Sequence, residues 1–249
     1  MARRPTSTRA SDLGSARVAG GVLVGGFLIN AIATMFHPSG AEDDHESIFA
    51  EYADSSSWEA VHLGQLLGVL MALAGLLIIY RALRASDQAP VLSQVAAAAT
   101  IITGATMVVL QAVDGVALKQ ATNAWVAASG AEEAGRFANA ETVRWLEWGA
   151  QSYFRVMLGV SFALFGAALI ITRMLPAWLG WLATGAGLLS IANGVDVGYQ
   201  GLESGFQDLA IGPSQIAILV FAVGVLITGR QKRAAGRSHG LAREVRSRA

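Results

Sequence analysis

The stretch 149–195, GAQSYFRVMLGVSFALFGAALIITRMLPAWLGWLATGAGLLSIANGV, decides the fold. It consists of two apolar runs, Gly149 to Thr172 and Ala177 to Val195, broken only by Arg173-Met174-Leu175-Pro176. Each run is about 20 residues, the length an α-helix needs to cross roughly 30 Å of hydrocarbon. So short a break turns the second helix back beside the first, and a tight antiparallel hairpin is expected. Outward from this pair lie four more such runs: Val18 to Phe36, Val61 to Tyr80, Val91 to Val113 and Ile211 to Gly229. The expected fold is all-α, a polytopic membrane protein built as a six-transmembrane-helix bundle.

Composition agrees. Apolar residues make up 53% of the chain and charged residues only 14%, against about 25% charged in a soluble domain. Mean hydropathy is +0.48. The 18 basic and 18 acidic residues cancel, but they are segregated. Arg3, Arg4, Arg9 and Arg17 precede the first run, Arg81 and Arg84 follow the second, and Arg173 follows the fourth. Arg230, Lys232, Arg233, Arg237, Arg243, Arg246 and Arg248 follow the sixth, which brings this set to 14 of the 18 basic residues. The intervening segments hold 15 of the 18 acids. His37 to Ser57 contains Glu42, Asp43, Asp44, Glu46, Glu51 and Asp54 with no Lys or Arg, and Asp196 to Ala210 contains Asp196, Glu203 and Asp208 with none. Basic segments stay on the cytoplasmic side during insertion. The expected organisation is therefore a basic cytoplasmic segment 1–17, a membrane domain 18–229 and a basic cytoplasmic tail 230–249, in the cell (inner, cytoplasmic) membrane with both termini inside.

Arg3 and Arg4 followed by an apolar run and Ala31-Ile32-Ala33 look like a secretory signal. The run is longer than a signal core and five more follow, so an uncleaved first helix is expected. The chain has no cysteine, which excludes disulfides, thiolate metal sites and cysteine nucleophiles. The basic tail sits directly after a span and reads as an anchor to anionic lipid rather than a nucleic-acid site.

All five prolines lie at or beyond run ends; Pro90, Pro176 and Pro213 suit first-turn positions, where the missing N–H costs nothing. Ser56-Ser57-Trp58-Glu59 and Ser129-Gly130-Ala131-Glu132 read as capping boxes. The second heads a helix expected to lie over the bundle and continue into the fourth span. The acidic segment AEDDHES lacks the order of a calcium loop and is expected as a solvated loop. Trp58, Trp145, Trp148, Tyr153 and Tyr199 cluster at the outer run ends, and Tyr80, Trp178 and Trp181 at the inner ones, as in interfacial aromatic belts.

GVLMALAGLLIIYR from Gly68 parallels GVSFALFGAALIITR from Gly159, which suggests either duplicated hairpins, spans two–three and four–five, or the small-residue faces that membrane helices share. The run Phe154 to Gly194, with Gly159, Gly166 and RMLPAWLGWLATGAGLL from Arg173, resembles a broad family of bacterial six-helix membrane proteins grouped as a domain of unknown function. SSSWEAVHLGQLLGVLMALAGLLIIYRALR from Ser55 is similar to that family's second helix. The resemblance implies six helices and no particular reaction.

Polar residues within spans are costly and tend to be partnered or functional. Here they gather at one level. Beside Asn30, this ring comprises His37, His62, Gln65, Gln111, Asp114, Glu147, Gln151, Arg155, Asn193, Asp196 and Gln215. Spacings of three and four place His62 with Gln65, Gln111 with Asp114, Glu147 with Gln151 and Arg155, and Asn193 with Asp196 on shared helical faces. These faces are expected to converge on an outward-opening polar pocket. Arg155 reads either as an anion clamp or as the partner of Asp114 or Asp196, or as snorkelling to headgroups.

His37 and His62, with Asp114 and Asp196, contain the elements of a zinc site. No HExxH spacing is present, and no bound metal, haem or other cofactor is expected. Phosphate-binding loops, dinucleotide fingerprints and nucleophile elbows are absent from the sequence. The expected function is non-enzymatic: an integral membrane protein, embedded in the lipid bilayer, that binds or passes a small polar or lipidic ligand. The alternatives are a metal-dependent membrane hydrolase and a structural subunit.

Overall fold

The computed structural model describes the backbone of residues 7–248 apart from 39, 42, 43 and 85, and the side chains of 15–228 apart from the same four. The side chains of Arg3, Arg4 and Arg9, of the tail from Arg230, and of Glu42 and Asp43 lie outside the described residues. The described residues are all-helical. The α-helices among them are α1 (Ser7–Thr34), α2 (His45–Asp54), α3 (Trp58–Leu83), α4 (Pro90–Ala112), α5 (Lys119–Val126), α6 (Glu133–Thr172), α7 (Ala177–Gln200) and α8 (Gly205–Arg248). A π-helical turn, Val113–Leu118, joins α4 to α5 without a break, and a 3₁₀ turn, Gly130–Glu132, precedes α6.

Five helical stretches are long and apolar enough to cross a membrane: Ser15–Thr34, Trp58–Leu83, Pro90–Val126, Gly130–Thr172 and Gly205–Thr228. Their outward faces carry Ile29, Ile32, Leu63, Leu67, Ile101, Ile102, Ile171 and Ile216, all at least 40% exposed. So wide an apolar belt would be an aggregation surface in water and is at home in lipid. The fifth apolar run, α7, is a helix, but its glycines, two tryptophans and Asn193 dilute its hydropathy, and it is not among the five candidate spans.

Packing follows chain order. α1 packs on α3, α3 on α4, α4 on α6, α6 on α7, α7 on α8, and α8 closes the ring against α1. One half of the ring is filled by Leu23, Leu76, Phe165, Leu179, Phe221 and Val225. The α6–α7 hairpin turns at Arg173, which takes the left-handed conformation (φ 48°) as the C-cap of α6. Small residues let the paired helices approach closely. Gly68 and Gly75 face α1, whereas Gly159 and Gly166 face α7. The two similar segments are thus the close-packing faces of two helix pairs, α3 with α1 before it and α6 with α7 after it, so they do not mark equivalent hairpins.

The other end of the ring carries a cap. α2, α5 and the start of α6 bury Ile48, Phe49, Tyr52, Trp58, Leu118 and Ala140 against Trp125 and Phe137. Several expectations are corrected here. The acidic segment is not wholly a loop, because its second half is α2, whose apolar face seals the cap. Asp44, which accepts from the Ser47 N–H at 3.3 Å, is its N-cap. Ser57 and Ser129 occupy N-cap positions but their hydroxyls cap nothing. Trp58 is fully buried in the cap core and so belongs to no interfacial belt. Pro90 opens α4 as expected, but Pro176 precedes α7 as its N-cap and Pro213 lies inside α8.

Candidate functional site

Between the apolar fill and the cap, the ring encloses a cavity of about 410 Å³. All six ring helices contribute to it. Nine of the eleven residues expected from the sequence line it: His37, Gln65, Gln111, Asp114, Glu147, Gln151, Arg155, Asn193 and Gln215. His62 stands behind Asp114, and Asp196 is drawn aside, its carboxylate accepting from the Ser204 hydroxyl.

Arg155 projects from α6. Its Nη1 donates to Asn193 Oδ1 at 2.5 Å and to Gln207 Oε1 at 3.0 Å. The carboxylates expected on it face elsewhere, Asp114 toward His62 and Asp196 toward Ser204. Gln207 in turn donates its Nε2 to the Gly201 carbonyl at 2.6 Å, which ties the α7–α8 connection to the guanidinium. Because Asn193 Oδ1 accepts from Arg155, the orientation of its amide is fixed. Its Nδ2 is then a buried donor with no partner among the described residues. Gln111 mirrors it: Nε2 reaches Gln65 Oε1 at 3.5 Å while Oε1 is a buried acceptor without a partner among the described residues. Gln65 is steadied by donating to Thr34 Oγ1 at 3.1 Å.

Toward the cap, Arg144 and Glu147 form a fully buried ion pair, Nη1 to Oε2 at 2.7 Å. The guanidinium also lies 5.5 Å from the Tyr52 ring and 5.7 Å from that of Trp148, within cation–π range. On the same side, the Trp58 ring packs at a tilt against both Tyr52 and His62, with centroids 4.3 Å apart in each pair.

Asp114 is placed by the π-turn. Such turns insert an extra residue into the helix and recur at functional sites. Here the turn aims the Asp114 carboxylate at His62 and brings Gly115 against the His62 ring. Trp58 Nε1 donates to the Asp114 carbonyl at 3.3 Å, which anchors the widened turn to α3. His37, in the segment after α1, completes a group in which the nearest ligand atoms of His37, His62 and Asp114 all lie within 4.8 Å of one another.

Sequence reasoning missed Arg144, Tyr52 and Gln207, which also line the cavity. Arg144 carried a signal, since it stands three residues before Glu147. Tyr52 and Gln207 sat in segments read as loops. No family model, curated protein or solved structure matches the chain.

Proposed function

We propose that the chain is a six-span protein of the bacterial cytoplasmic membrane that holds or passes a small polar ligand, or the polar part of a lipid, in its cap-end cavity. The observation that carries this reading is the pair of unspent groups on cavity-lining residues, Asn193 Nδ2 and Gln111 Oε1, neither with a partner among the described residues. Buried polar atoms are seldom left unpaired, since each costs about 1–3 kcal/mol. A donor on α7 and an acceptor on α4 suit a ligand offering both, and Arg155 on α6, between them in the ring, favours a carboxylate or phosphate.

Orientation follows from charge. The basic residues outside the cytoplasmic set are Lys119, Arg136, Arg144 and Arg155. Lys119 and Arg144 are buried and internally bonded, so they count little against the cap end being outside. α7 serves as the sixth span: at 24 residues it is about 36 Å long, and with it both basic termini fall on one side. The cap and the cavity mouth then face outward. In this cysteine-free chain, Ser129→Cys should react with an impermeant thiol reagent in intact cells and Gln88→Cys only after lysis. The reverse pattern would invert the topology.

Ligand binding is read from stability. A ligand at 100 times its Kd should stabilise the detergent-purified protein by about 2.7 kcal/mol. Small carboxylates, phosphates and amides are the compounds to screen by thermal unfolding. The shift should vanish in Asn193→Leu and weaken in Arg155→Gln. If no compound shifts the wild type, the structural-subunit reading is favoured, in which the polar ring only locks helices together.

A further inference from the structure

We propose that His37, His62 and Asp114 bind a divalent transition metal of the zinc class in the wall of the cavity. The inference is independent of the ligand reading above and contradicts the expectation of a metal-free protein drawn from spacing.

The histidine tautomers come first. His62 Nδ1 lies 2.7 Å from the Trp58 carbonyl oxygen, and His37 Nδ1 lies 2.7 Å from that of Pro38. A carbonyl oxygen only accepts, so in both rings Nδ1 carries the proton. Each neutral imidazole then presents Nε2 as a lone pair. Metal-binding histidines have this arrangement, with the second nitrogen donating to a carbonyl or carboxylate that fixes the ring and raises its basicity.

The second point is what faces that lone pair. His62 is 3% exposed, and Asp114 Oδ2 lies 3.1 Å from its Nε2. The two atoms are close enough to form an ion pair, and Nε2 has no well-aligned hydrogen bond among the described residues. A lone pair and a carboxylate pressed together in a buried site repel unless a cation joins them. A second proton on His62 would join only these two groups, whereas a metal would also engage His37, whose ligand atom lies within 4.8 Å of both. Zinc bonds of 2.0–2.2 Å at tetrahedral angles put neighbouring ligand atoms about 3.3 Å apart, close to the separation found.

The third ligand is His37, on the segment after α1, outside the helices; drawing its ligand atom from within 4.8 Å of the others to tetrahedral spacing takes up to about 1.5 Å of movement. Two imidazoles and one carboxylate form a common zinc or non-haem iron set that leaves coordination positions open. His37 and Asp114 both line the cavity, so the open position faces it. Haem does not fit. Axial imidazoles lie on opposite sides of a macrocycle, and the ring centroids of His37 and His62 are only 5.2 Å apart.

The test uses the full chain, purified in detergent, stripped with chelator and titrated with Zn²⁺ and with Co²⁺. One saturable site per chain is expected, with Co²⁺ giving the visible bands of low-coordinate nitrogen and oxygen ligation. Since outer-shell partners alone are worth 10- to 100-fold in affinity, removing a ligand by His37→Gln or Asp114→Asn should weaken binding more than about 100-fold. His37→Gln lies outside the helices and serves if His62→Ala does not fold. Absence of a 1:1 site overturns the proposal. So does zinc that survives both substitutions but is lost when Glu46 and Glu51 become glutamine, since the acidic segment would then be the binder. A thermal shift with an organic ligand, present or absent, leaves these outcomes unchanged.

Discussion

Replacing Gly187 with alanine is expected to destabilise the protein by about 3 kcal/mol, the upper end of overpacking costs, and Gly187→Leu to prevent folding. The reason is the α6–α7 contact. A Cβ at Gly187 would stand 2.5 Å from the Gly159 carbonyl oxygen and 2.6 Å from the Ala163 nitrogen. Both obstacles are helical backbone, so neither can swing away as a side-chain tip would. The helices would have to separate, and the same face carries Gly166 against Gly180 and Gly194 against Ser152. In lipid, helices associate through such packing rather than through a hydrophobic drive, so the lost contacts have no ready replacement. Gly185, two residues away on the same helix, has nothing within 4 Å of its would-be Cβ. Gly185→Ala should be neutral or stabilising, by up to about 1 kcal/mol of helix propensity. Thermal unfolding of the two alanine variants in one detergent makes the comparison. Equal midpoints would mean that α6 and α7 do not meet at Gly187.

How far the sequence could be read is itself a matter of physics. Apolar runs near 20 residues are a one-dimensional signal, because lipid demands continuity along the helix. The α6–α7 turn at Arg173 and the unbroken passage from the segment after Ser129 into the hairpin were visible on that basis. The polar level was visible too, since a Gln or Arg in an otherwise apolar run stands out singly. Partner choice was not. The sequence offers Asp114 or Asp196 as one possible partner for Arg155, but the π-turn directs Asp114 toward His62, and nothing in Val113-Asp114-Gly115 announces a widened turn. The cap was misread for a related reason. In HESIFAEYAD the acids that mark a solvent face also mask a helix whose other face buries Ile48, Phe49 and Tyr52, and ten residues are too few to show a clear period. Trp58 looked interfacial from its place at a span end, a reading that fails once a second layer of helices covers that end.

The cap should be separable from the bundle by one substitution, Lys119→Met. Lys119 opens α5, is 7% exposed, and directs its ammonium at the C-terminus of α2. Nζ donates to the carbonyls of Tyr52, Ala53 and Ser55 at 2.7, 2.9 and 2.8 Å. An ammonium has three protons, and here each has its own acceptor at the negative end of a helix dipole. Hydrogen bonds to a charged group contribute roughly 1.5–3 kcal/mol each. Losing all three and stranding the carbonyls should cost at least about 3 kcal/mol, concentrated in α2. Lys119→Arg should not restore the cap, because a planar guanidinium fork does not match three acceptors arranged around a point. Hydrogen exchange resolves the location: α2 amides should lose protection in Lys119→Met while α6 and α7 keep theirs. Tyr52 lines the cavity and meets the His37 ring edge-on, with centroids 5.9 Å apart. Releasing α2 should therefore weaken zinc binding at His37 without unfolding the bundle. Unchanged α2 protection in Lys119→Met would mean that the apolar cap contacts of Ile48, Phe49 and Tyr52 hold α2 alone, and that the buried ammonium serves only its own solvation.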